Sequence, residues 1–300
     1  MPNPEAHASH TMHKLHIALP ARVDWLLALA CLLCLASRSS YVQTVFAQAE
    51  TQETLVTRLS ATDEETRLAA VVDLAALFKS RPNVARPATL AALANTLQDD
   101  PAPVVRTHAA RALELAGEPS ASDALLAALR TERELATRKA IIYALARYPA
   151  PQVTTALLPL LKHKNVEIRA TTAYALAELA DTAAATTLLE FLQKWRKDDD
   201  AFARSQAARG LGRIGYQAAI PTLLEALQHD KAQIVRREAA YALGWLGSAQ
   251  ATEVMAALRQ AANDDDPYLR EAATAAIEQI NLRSRQPKQE ASLYSGLSVR

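Results

Sequence analysis

The chain has 300 residues, half of them hydrophobic, with 5% aromatics, seven glycines, two cysteines and a formal net charge of +1. Alanine and leucine, the best apolar helix formers, dominate, while the β-branched and aromatic residues that strands prefer are sparse, so the composition points to helices. A balance this close to neutral argues against a general nucleic-acid binder, which needs a basic face to displace counterions from phosphate.

The first element is an apolar run from Trp25 to Ala36, preceded by Lys14 and Arg22 and followed by Ser37 and Arg38. A helix needs about 20 apolar residues to span a bilayer, so this run is too short for that and fits the core of an export signal. Ala47-Gln48-Ala49 offers a small-x-small cleavage site, which predicts a leader over 1–49 and a periplasmic or extracellular protein. Retention of the segment as an N-terminal anchor is the alternative. Setting 1–49 aside removes Lys14, Arg22 and Arg38 from 33 basic residues and Glu5 and Asp24 from 32 acidic ones, leaving 30 of each. Both cysteines, Cys31 and Cys34, lie inside the apolar run and read as small hydrophobes rather than a redox pair. His7, His10, His13 and His16 fall in the same leader.

From there the chain repeats. Seven windows align on one arginine: Arg67, Arg106, Arg138, Arg169, Arg204, Arg236 and Arg270, separated by 31 to 39 residues. At about 100° per residue, positions three, four and seven after the arginine share one helical face. They read, for example, Ala109, Ala110 and Leu113, or Ala239, Ala240 and Leu243. A second helical pattern, such as DALLAALRT or PTLLEALQ, precedes most windows. Each repeat is thus a pair of helices whose apolar faces only neighbouring repeats can cover, which predicts an all-α, right-handed solenoid over residues 50–282.

Acidic residues stand six before the arginine at Asp100, Asp198, Asp230 and Asp264, placed to cap the following helix and to accept from a nearby arginine. The triplets 198–200 and 264–266 lack the glycine and distal glutamate of a calcium loop and read as caps and turns. Paired carboxylates such as Glu132 and Glu134 read as lying in loops or on solvated faces. Residues 283–300 lose the period and read as a disordered tail.

The pattern Asp-x5-Arg-x2-Ala-Ala-x-Ala-Leu-Gly, best seen in IVRREAAYALGWLG (234–247) after Asp230, resembles the HEAT-repeat family and its short phycobilisome lyase-like variant. The resemblance covers roughly residues 51–281. It implies a solenoid whose arginine-bearing helices line the concave side. On that side, positions five and nine after the arginine give Arg111, Tyr143, Arg147, Tyr174, Arg209, Arg213, Tyr241 and Trp245. Tyrosine, tryptophan and arginine dominate binding hot spots, so these eight are the candidate protein-binding residues. The opposing reading packs the tyrosines on the next helix and leaves the arginines as surface charges.

The resemblance extends to two enzymatic branches. Deoxyhypusine hydroxylase-like members carry metal on His-Glu pairs, but His108, His163 and His229 are followed by Ala109, Lys164 and Asp230. Bilin lyase-like members are cytoplasmic, against which the export signal tells. No glycine-rich phosphate loop, Gly-x-Ser-x-Gly elbow or His-Glu-x-x-His stretch is present. The resulting expectation is a non-catalytic scaffold of the cell envelope, not an enzyme, without metal or cofactor. It binds a peptide or protein partner on its concave face and no nucleic acid. A lyase-like or chaperone-like accessory subunit is the alternative.

Overall fold

The computed structural model describes residues 52–194, 200–248 and 250–285, and the leader, its cleavage site and residues 286–300 lie outside them. From Glu53 onward the described residues belong to one compact unit. No described helix is long and apolar enough to cross a membrane.

The helices come in pairs. They are α1 (52–58), α2 (Glu64–Ser80), α3 (Pro87–Asp99), α4 (Pro103–Ala116), α5 (Ala121–Thr131), α6 (Leu135–Leu145) and α7 (Pro151–Leu157). After α7 come α8 (Val166–Leu179), α9 (Ala185–Lys194), α10 (Ala201–Ile214), α11 (Ile220–His229), α12 (Gln233–Leu246), α13 (Thr252–Ala261) and α14 (Pro267–Arg285). Even-numbered helices pack against one another in sequence, α2 on α4 through α12 on α14, and odd-numbered ones form a second layer. This is the all-α solenoid of two-helix repeats that the arginine period predicts.

Alanine explains the tightness of the even-numbered layer. Ala109, Ala110, Ala207, Ala208, Ala239 and Ala240 are all fully buried, with Leu113, Leu211 and Leu243 filling the space between helices. The pattern shifts in α14, where Thr274 is exposed and Ala272, Ala273, Ala276 and Ile280 are buried instead. Among the described helices, α12 and α13 are the ones that cover α14. The helix also runs to Arg285, and Arg283, assigned to the tail from sequence, donates to the carbonyls of Gly244, Trp245 and Gly247 at the end of α12.

The repeat arginines work as staples. They reach two ways: Arg67, Arg106, Arg169 and Arg270 hold carbonyls of their own entry loops, and Arg67, Arg106, Arg169, Arg204 and Arg236 face a carboxylate in the loop of the next repeat. Arg67 donates to the carbonyls of Ala61 and Thr62 and to both oxygens of Asp100. Arg106 and Arg204 grip Glu132 and Asp230 in the same two-pronged way. Arg169 and Arg236 stand looser, 4.0 Å from Asp200 and 3.8 Å from Asp264. The receiving carboxylate does a second task, accepting the backbone N–H two residues on, as Asp100 does from Ala102 and Asp230 from Ala232. Glu132 does the same for Glu134, and its side chain is 6% exposed. It lies in a loop, as expected, but not on a solvated face: it is the acidic member of the third repeat's joint. Burial raises its carboxyl, but hydrogen bonds from Arg106 and from the Glu134 N–H outweigh this and hold it below the ordinary range.

One joint differs. Six residues before Arg169 stands His163, whose Nδ1 accepts the Asn165 N–H just as a carboxylate would. It offers nothing to Arg138, whose buried Nε has no hydrogen-bond partner. Burial, then the Arg138 charge, depress the His163 pKa below the ordinary value. The unfolded chain therefore binds that proton more readily, and stability falls as pH drops through about 6.5. Replacing His163→Asp keeps the backbone acceptor and supplies the missing carboxylate. The expected result is a gain of about 1.5 kcal/mol near neutral pH and a weaker loss between about pH 7 and 5, read from thermal melts. A lower melting temperature for the variant at both pH values would show that Arg138 cannot reach the new group.

Candidate functional site

The same joint carries a notch, and its origin is legible in the chain. Helices α4, α8, α10 and α12 each have 14 residues, whereas α6 has 11. Pro149 and Pro151 follow it, and proline excludes the helical conformation from the residue before it and removes a backbone donor. The last turn of α6 is therefore missing between the intact ends of α4 and α8. Tyr148 turns inward to fill part of the gap, its hydroxyl donating to the Leu113 carbonyl, and burial pushes its pKa up to about 12. What remains open is a notch of about 380 Å³ lined by Arg111, Glu114, Tyr143, Ala146, Arg147, Pro149, Tyr174, Glu178 and Leu179.

Four of the eight sequence-derived residues meet here: Arg111, Tyr143, Arg147 and Tyr174. The Tyr143 and Tyr174 rings lie 5.1 Å apart at 57°, joining α6 to α8 from the open side. Tyr143 remains 38% exposed, and burial followed by the Glu178 charge raises the Tyr174 pKa. Arg111 pairs with Glu114 one turn along α4. Arg209 and Arg213 do not line the notch but reach Glu178 from α10, at 3.1 Å and 2.9 Å. Arg147 is exposed and makes no ion pair with any described residue.

The last two candidates stand apart. Tyr241 is half-buried against the hydrophobic core. Trp245 lies over Gly212 of α10, where its Cε3 would come within 2.6 Å of an added Cβ, so its ring is engaged in holding α12 against α10. Sequence reasoning left Glu114, Glu178 and Pro149 out of the site. Pro149 was the available signal, because it stops α6 before the turn that would have covered the two glutamates.

The arrangement is a two-layer α-solenoid with arginine-stapled joints and one notch where a helix ends early. A family model for HEAT repeats matches residues 52–146, 122–200 and 190–278, and the chain belongs to the HEAT-repeat family. Among curated proteins it is similar to the deoxyhypusine hydroxylase of Neosartorya fischeri, 38% identical over 109 residues, or 35% of this chain and 32% of that protein. The chain thus spans about a third of the length of the curated relatives it matches. Among solved structures it is similar to an engineered protein, with a TM-score of 0.51 and 24% identity over 77% of this chain and 68% of the other. It is also similar to the complex of CpcE and CpcF of phycocyanin lyase from a Nostoc species, with a TM-score of 0.43, 20% identity and 75% of each chain covered.

These findings correct the functional expectation. The curated relatives are named for an enzyme, which overturns both the non-catalytic scaffold of the cell envelope and the statement that the chain is not an enzyme. The metal that the hydroxylase resemblance implies does not fit the described residues. Among them no three His, Cys, Asp or Glu side chains gather where they could hold a metal ion, and His163 already spends Nδ1 on its own loop.

Proposed function

We propose that the chain is the substrate-holding solenoid of a hydroxylase activity like the one for which its curated relatives are named, and that it grips a protein substrate in the notch between α4, α6 and α8. The observation that carries this reading is the missing turn of α6, which leaves exposed Tyr143 against half-buried Tyr174, beside an exposed arginine that pairs with no described residue. Trp245 and Arg213, on the same helical face, are instead spent on packing and pairing. Rigid aromatic rings beside an arginine form the usual centre of a protein-binding hot spot.

A photo-crosslinking amino acid at position 143 of the full chain tests this. Partner proteins trapped there are then incubated with wild type or with an Arg147→Glu/Tyr174→Ala variant and weighed by mass spectrometry. The expected result is trapping and a mass change, such as an added oxygen, with wild type alone. Equal trapping and identical masses with both proteins would sink the proposal.

A further inference from the structure

The charges around the notch distinguish among protein segments. Each carboxylate that lines it already faces an arginine: Glu114 faces Arg111, and Glu178 faces both Arg209 and Arg213. A lysine-rich segment would have to displace one of those arginines and would meet Arg147 with like charge. Arg147 is the group left over, an exposed guanidinium with five donors in a fork that matches a carboxylate. Beside it stand apolar walls from Ala146, Pro149 and Leu179. The tilted tyrosine pair adds a ring edge and a ring face, which favour a packed side chain. A free small anion would use the guanidinium and leave those walls wet.

We infer that the notch takes an acidic segment of the partner protein, with a side-chain carboxylate on Arg147 and an adjacent apolar side chain against Tyr143 and Tyr174. The inference rests on the reading that the notch engages protein, and it names the chemistry of what is engaged. The donor-rich centre sets the sign of the partner, and the apolar rim sets the spacing of its residues.

Fluorescence anisotropy with the full chain and a labelled peptide, Ser-Glu-Glu-Leu-Glu-Glu-Ser, measures this directly. The same peptide with lysine for each glutamate, and one with serine for leucine, serve as comparisons. The acidic peptide is expected to bind most tightly. Arg147→Glu should weaken it at least about tenfold, whereas Arg133→Glu, an exposed arginine outside the notch, should leave it unchanged. Unchanged melting temperatures of both variants guard against a folding artefact. Equal or tighter binding of the lysine peptide, lost on Tyr174→Ala, would overturn the acidic assignment while sparing protein engagement at the notch. Acidic-peptide binding that ignores Arg147→Glu would overturn the assignment by placing the contact elsewhere. No binding by any peptide, with position 143 still crosslinking protein, would also overturn the acidic assignment alone.

Discussion

Replacing Asp230→Ala is expected to lower folding stability by about 3–5 kcal/mol, among the largest losses any single change here should cause. Arg204 and Asp230 are both 5% exposed and joined by two hydrogen bonds of 3.0 Å each. Removing the carboxylate strands a guanidinium that water cannot reach, and a stranded buried charge is penalised more than the pair was favoured. The Ala232 N–H loses its acceptor in the same step. An Asp230→Asn variant separates the two effects, because its side-chain oxygen keeps the turn while the charge is gone. Urea unfolding should rank wild type above asparagine and asparagine above alanine. A loss under about 1 kcal/mol for alanine would mean that the joint opens to solvent and the pair behaves as a surface bridge.

Gly212→Ala should destabilise by about 1–3 kcal/mol, against the helix propensity scale. In an open helix, alanine for glycine gains about 0.5–1 kcal/mol. At this position the new Cβ would sit 2.7 Å from the Ala242 Cα and 2.8 Å from its Cβ, besides the Trp245 ring at 2.6 Å. A tryptophan ring can swing away, but the backbone of α12 cannot move without parting from α10. Trimming the ring as well, in Gly212→Ala/Trp245→Ala, should therefore restore nothing. Thermal melts decide the matter, and a variant that melts higher than wild type would show that the two helices slide apart freely.

The fold was legible because one arginine and the alanines behind it recur at a period the stacking imposes. Chance does not preserve that spacing through seven windows. The pairing of the arginines was only half legible. Spacing placed Asp100, Asp230 and Asp264 at the joints; Asp198 lies outside the described residues, and Asp200, which the spacing did not mark, stands 4.0 Å from Arg169. Glu132 was placed in a loop but its pairing was missed, because its partner lies 26 residues back in another helix. Position counting located four notch residues but could not separate them from Trp245. All five share one helical face, and only the three-dimensional end of α6 distinguishes an open slot from a filled one.

The forward reach of the arginines gives the stack a direction. Among the described residues Arg270, in the last described repeat, holds the carbonyls of Asp264 and Asp265 and no carboxylate, whereas Arg67 already grips the repeat that follows it. Peeling helices from the C-terminal side leaves, at each stapled joint, a cation whose counterion has departed. Peeling from the N-terminal side leaves a carboxylate that still caps its own turn. Unravelling is therefore resisted unequally from the two sides, and the His163 joint is where it meets no staple from either.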